Sequence, residues 1–263
     1  MTRMSRNPVR RARALFISVF VALATAVGVA PAANAYPVYP GDAINVRFSN
    51  GDIYSCTLNS VAHRDGALWG VTAGHCLLPI GGAHPVKIFA YDLTTPIASN
   101  LSDSGVVYDG GNAAGFADVA WFRLDNHVSD GGAVRGGTYN IPFLGPNTPL
   151  NGFTRAVHPN RAIAGRAPVT AVRRGQIICK DGGTTARNCG PVVHVNTKTG
   201  EIWSLMLAAQ GDSGSPVYVL TPDRRALLVG VHSGAVGIFS VADASLPLCL
   251  LYTSDAADEE DSG

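Results

Sequence analysis

The chain has 263 residues, is 46% hydrophobic and only 15% charged, and carries 30 glycines, 16 prolines and a formal net charge of +1. This suits a globular, loop-rich and strand-rich protein of one domain or two small ones. Without residues 1–35, which hold five arginines and no acid, the charge becomes −4, leaving no basic face for nucleic acid.

In chain order, "RNPVRRARA" is basic, "LFISVFVALATAVGVA" is apolar, and "ANA" ends at Ala35. That is the layout of a secretory signal peptide over residues 1–35, with cleavage expected before Tyr36. The apolar run is short for a membrane span, and no stable membrane association is expected. Export also makes disulfides permissible. About a dozen β-prone segments follow, separated by Gly, Pro, Asn and Asp: "AINVRF", "YSCTLNSV", "ALWGVT", "VKIFA", "VAWFRL", "PVTAV", "QIICK", "PVVHV", "IWSLML", "PVYVL", "ALLVGVHS" and "VGIFSV". No long segment has helical periodicity, so the expected class is all-β, a barrel or sandwich. The link "RGGTYNIPFLGPNTPLNG" divides the chain into two halves, residues 36–145 and 146–248, without a sequence repeat between them. The tail from Cys249, "CLLYTSDAADEEDSG", reads either as translated sequencing adapter, with the natural chain broken near Leu248, or as an acidic disordered segment over 249–263.

Three stretches could carry chemistry together: "TAGHC" with His75, "ADVAWFRL" with Asp118 and "GDSGSP" with Ser213. Serine is a poor nucleophile at neutral pH and needs a base to take its proton. A histidine base in turn needs a carboxylate to fix its tautomer and stabilise the imidazolium. Asp118 is favoured over Asp103, Asp109, Asp125 and Asp130 because apolar "VAWF" follows it, as expected at the mouth of a buried strand. Taken singly, "GHC" reads as a packed turn and "DVA" as an ordinary strand start, and "GDSGS" does not match the G-x-S-x-G elbow because Ser215 stands at the last glycine.

In the order His, Asp, Ser these motifs resemble the chymotrypsin-fold serine proteases, over roughly Ala43 to Ser240. The resemblance implies two six-stranded antiparallel β-barrels with the active site between them. His75 would be the general base, Asp118 its orienting carboxylate and Ser213 the nucleophile. The N–H groups of Gly211 and Ser213 would form the oxyanion hole, where each donor contributes about 3 kcal/mol. Cys56 would pair with Cys76 beside His75, and Cys179 with Cys189 around "KDGGTTARN"; the other reading of these cysteines is free or metal-binding thiols.

"CKDGGTTARNCG" resembles the matching segment of the bacterial streptogrisin-like branch, where an arginine neutralises the aspartate before the serine. Here Lys180 would do this for Asp212; the alternative is a solvated lysine. Two features depart from the resemblance: no long pro-segment precedes the first candidate strand, and no terminal helix precedes the suspect tail. Leu207 stands where tryptic enzymes carry an aspartate, so a basic substrate side chain would lack its partner. The pocket wall would include Ser233, Gly234 and Ala235, offering backbone to an extended substrate. His232 matches the position where glutamyl endopeptidases of this fold carry a substrate-binding histidine, although Gln210 and Ala235 replace the serines that accompany it in one branch. The alternatives are a core histidine and an apolar or small preferred residue. His63, His84, His127, His158 and His194 read as surface or loop residues.

The expected function is a secreted, monomeric serine endopeptidase acting on proteins or peptides, with no cofactor, no metal and non-tryptic specificity. The rival is a catalytically silent secreted binding protein on the same scaffold.

Overall fold

The computed structural model describes residues 35–110, 116–136 and 157–244. The leader up to residue 34, most of the central link with the boundary at 145/146, and the tail with Cys249 lie outside the described residues.

β-branched and aromatic residues build nearly everything described. The first half contains β1 (Tyr36–Val38), β2 (Ala43–Phe48), β3 (Ile53–Thr57), β4 (Ser60–Arg64), β5 (Ala67–Thr72), β6 (Pro85–Ala90), β7 (Pro96–Ala98), β8 (Gly105–Tyr108), β9 (Asp118–Arg123) and β10 (Val128–Asp130). Two four-stranded antiparallel sheets result, in the orders β3-β2-β6-β7 and β4-β5-β9-β8, while β1 and β10 pair in parallel. Val46, Leu58, Val71, Ile88, Ile97 and Phe122 fill one core between these sheets. The run "YSCTLNSV" is two strands rather than one. At the corner Leu58 N–H donates to Asp42 O (2.9 Å) and Asn59 N–H to Val71 O (2.7 Å), so neighbouring residues bond to different sheets.

β11 (Ala133–Val134) ends the first half and pairs with β12 (Arg161–Arg166) of the second, which goes on with β13 (Ile177–Gly182), β14 (Ala186–Asn196), β15 (Glu201–Leu205), β16 (Pro216–Leu220), β17 (Ala226–Val236) and β18 (Phe239–Asp243). Strands β13, β14, β15, β18, β17 and β16 pair successively and return to β13, closing a six-stranded antiparallel barrel without free edges. Its core includes Ile178, Val192, Ile202, Val217 and Val229. The segment "PVTAV" is not a strand. Pro168 supplies φ −67° at the start of a short 3-10 helix, Val169–Ala171, and the strand in this region is β12. Among the described residues, no helix is long and apolar enough to cross a membrane.

Candidate active site

His75 sits on a 3-10 turn (Gly74–Leu77) directly after β5, and Asp118 is the first residue of β9, the strand paired with β5. The turn is close-packed: a Cβ on Gly74 would come within 2.8 Å of Val107 O and 3.0 Å of Asp118 Oδ1. That approach lets His75 grip the carboxylate twice. Its backbone N–H donates to Asp118 Oδ1 and its Nδ1 bonds Oδ2, each at 2.8 Å. Asp118 is buried at 2% side-chain exposure, whereas His75 is 35% exposed, so the imidazole alone reaches toward solvent.

Two residues of the second half's barrel complete the setting of Asp118. Ser233 Oγ, on β17, donates to Oδ2, and Asp243 Oδ2, at the end of β18, accepts the Asp118 N–H at 2.8 Å. Burial pushes the Asp118 carboxyl up, but the hydrogen bond and charge of His75, with the Ser233 hydroxyl, outweigh it and hold the group below the usual carboxylate range.

Ser213 lies in the loop between β15 and β16. Thr57 N–H donates to its carbonyl at 2.7 Å, and Cys76 Sγ lies 3.9 Å from the same oxygen, so the loop abuts the segments on either side of the first disulfide. Ser213 Oγ and His75 are not hydrogen-bonded to each other; such contacts commonly tighten only around a substrate. Gly214, with φ +91°, turns the chain where a side chain would run into Thr72 and Thr57. Asp212 accepts the Ser215 N–H at 2.9 Å on its carbonyl, and the Ser215 hydroxyl donates to the same oxygen. The N–H groups of Gly211 and Ser213 donate to no acceptor among the described residues.

The side chain of Asp212 is fully buried and receives five donors. Lys180 Nζ (2.6 Å), Thr185 Oγ (2.7 Å) and Ala209 N–H (3.0 Å) reach Oδ2, while the N–H groups of Thr184 and Thr185 reach Oδ1 at 2.9 Å each. Burial raises this carboxyl, and the Lys180 charge with the other donors brings it below its ordinary value. Lys180 is itself fully buried, and burial lowers its ammonium against the pull of Asp212. Neighbouring Asp181 points to the opposite side of β13, where Arg187 holds both its oxygens (2.8 and 2.6 Å) and the Tyr218 hydroxyl donates to one (3.1 Å).

The other candidates diverge. His232 is 1% exposed, its Nδ1 is hydrogen-bonded to Ser240 Oγ at 3.0 Å, and burial followed by the Lys180 charge lowers its pKa to about 3. Leu207 is 76% exposed, and Gln210 and Ala235 are exposed as well. Gly234 is half-buried on β17. Sequence reasoning assigned no role to Thr57, Thr184 or Asp243, and it read Ser233 only as backbone. A carboxylate ending the apolar run of β18 was the one available signal, for Asp243.

Cys56 is bonded to Cys76, 20 residues apart, and Cys179 to Cys189 across β13 and β14. Replacing Cys56 and Cys76 by alanine is expected to cost about 3 kcal/mol from restored chain entropy, read as a lower urea midpoint with a steeper slope, since the unfolded chain without the cross-link is more expanded.

No family model matches the chain. Uncharacterized proteins from two strains of Mycobacterium tuberculosis are each 30% identical over 141 residues, which is 44% of this chain and 63% of the relative. The match therefore takes in less than two thirds of the relatives' own length. Among solved structures, a glutamic acid-specific serine protease described as using a histidine triad in substrate binding aligns with a TM-score of 0.54 at 21% identity, covering 78% of this chain and 92% of its own. Thermobifida fusca protease A aligns at 0.52 and 19% identity (81% and 95% covered), and alpha-lytic protease homolog N4 at 0.52 and 21% (81% and 96%). The chain thus has the fold of the bacterial chymotrypsin-like serine proteases.

Proposed function

We propose that this chain, built on the chymotrypsin-like fold, is a secreted serine endopeptidase that cleaves peptide bonds through an acyl-enzyme. The observation that carries this reading is the two-point hold of His75 on a buried Asp118 at the junction where the Ser213 loop arrives with two unengaged N–H groups. Asp118 fixes the imidazole with its proton on Nδ1, which leaves Nε2 to take the Ser213 proton as Oγ attacks the substrate carbonyl. The resulting oxyanion meets the N–H groups of Gly211 and Ser213. His75 then protonates the leaving amine, the peptide departs, and water attacks the acyl group by the same steps with His75 again as base. A silent binding protein has no need of this set of groups.

Specificity is non-tryptic in this reading, because exposed Leu207 offers a basic side chain no charge. The burial of His232 and its hydrogen bond to Ser240 favour a core histidine, and with it an uncharged preferred residue over glutamate. The test is cleavage-site profiling on a diverse peptide library, with Ser213→Ala as control. Cuts after apolar or small residues, absent in Ser213→Ala, are expected. Cuts after glutamate that vanish in His232→Val would return that histidine to the substrate site. A folded wild type that cuts nothing and resists a serine-reactive fluorophosphonate would remove the protease reading.

A further inference from the structure

The two N–H groups assigned to the oxyanion belong to the Gln210–Gly211 and Asp212–Ser213 peptides. All described peptide bonds are trans, so in each the C=O and N–H point in opposite directions, and whatever grips the carbonyl also aims the amide. The Asp212 carbonyl is held by Ser215, as described above. The Gln210 carbonyl accepts from Thr184 Oγ at 2.8 Å, and the Gly211 carbonyl accepts from Thr57 Oγ at 2.8 Å. Thr57 is fully buried, and its hydroxyl also accepts the Gly183 N–H at 2.9 Å, which binds the loop to both β3 and the β13–β14 hairpin. The Asp212 N–H, at the other end of the Gly211 peptide, donates to Ala209 O at 3.0 Å.

Gly211 makes these hydroxyls necessary. It has φ +98°, and glycine populates both signs of φ at similar cost, so the Gln210–Gly211 peptide can turn over unless its carbonyl is held. A side chain could not do the holding at that position, since a Cβ on Gly211 would run into Thr184 Oγ.

We propose that the Thr184 and Thr57 hydroxyls are positioning groups that latch the two peptides flanking Gly211 and keep its N–H aimed at the oxyanion. This rests on the protease reading. The latch touches neither substrate nor nucleophile; it fixes the donor beforehand, so its loss acts on the transition state rather than on substrate binding.

The experiment uses Thr184→Val, Thr57→Val and the two serine replacements, with crystal structures, steady-state kinetics and affinity for a peptide aldehyde, whose serine adduct carries the tetrahedral oxygen. Complete loss of one oxyanion donor costs about 10²–10³-fold in kcat, so partial misaiming in Thr184→Val should cost about 10- to 100-fold with KM unchanged. Aldehyde affinity should fall by the same factor, Thr184→Ser should restore both, and the crystal structure should show the Gln210 carbonyl turned away from its wild-type direction. Thr184 is only half-buried, so its variant is expected to fold even if Thr57→Val does not. A Thr184→Val protein with wild-type kcat, aldehyde affinity and peptide orientation would overturn the latch. If the wild type neither cuts nor binds the aldehyde, the protease reading falls, and the peptide orientation in the Thr184→Val crystal still decides the latch.

Discussion

Asp118→Asn is expected to lower kcat by about 10⁴-fold at neutral pH while leaving the fold intact. Asparagine is nearly the same size and can still accept the His75 backbone N–H with its carbonyl oxygen, as Oδ1 does at 2.8 Å in the native protein. The amide then faces His75 Nδ1 from the position of Oδ2, and an amide donates where the carboxylate accepted. The imidazole must present a lone pair at Nδ1 and carry its proton on Nε2, so it can no longer take one from Ser213. The imidazolium of the transition state also loses its buried counter-charge. Peptide hydrolysis together with thermal unfolding checks this: a large fall in kcat at a nearly native Tm is expected. A fall below tenfold would show that Asp118 only supports the turn.

Lys180→Met should destabilise the protein by about 3–5 kcal/mol at pH 7, since it leaves the fully buried Asp212 carboxylate without its cation. The four hydrogen-bond donors that remain on Asp212 soften the loss but bring no formal charge. Activity should fall as well, because Asp212 lies between Gly211 and Ser213, whose N–H groups are the proposed oxyanion donors. The pH dependence identifies the cause. In the wild type the Asp212 carboxyl is lowered, so its contribution is complete above about pH 3.9 and fades only as the pH drops through the lower folded value. In the variant the unpaired carboxyl is pushed upward by burial, so its penalty is present at pH 7 and is relieved by protonation on acidification. Urea unfolding at pH 7 and pH 4 should therefore show the gap between the two proteins narrowing at the lower pH. The double variant Lys180→Met/Asp212→Asn should recover part of the loss. A constant gap would assign the effect to packing of the lysine stem.

Much of the scaffold was legible because strands such as β2, β5 and β9 are short β-branched and aromatic runs bounded by turn residues. Where that pattern is ambiguous, reading failed. Val169–Ala171 is apolar and β-prone, yet Pro168 and the closure of Val172 N–H onto Val169 O at 3.0 Å make it a helical turn. The strand before it, "RAIAGR", lacks a clean alternation and was missed. At the site, motif order pointed to His75, Asp118 and Ser213, but the groups that position them come from distant strands. Thr57 and Thr184 look like ordinary threonines of a strand and a turn, and only the folded chain places each against a carbonyl of the Ser213 loop. The environment of His232 was equally hidden, because its hydrogen-bond partner Ser240 lies across the β17–β18 hairpin and no local pattern links the two.

The dependence of Asp118 on both β17 and β18 has a consequence for biosynthesis. Its side chain and backbone are held by Ser233 and Asp243, which lie 115 and 125 residues later in the chain. Contacts this remote form late, since a long loop must close before they return any free energy. Under the proposed mechanism, a nascent or half-folded polypeptide therefore lacks the fully held His75–Asp118 base that would activate Ser213 against its own exposed peptide bonds. Hydrolytic power would appear together with the last strands, when the chain has become a poor substrate for itself.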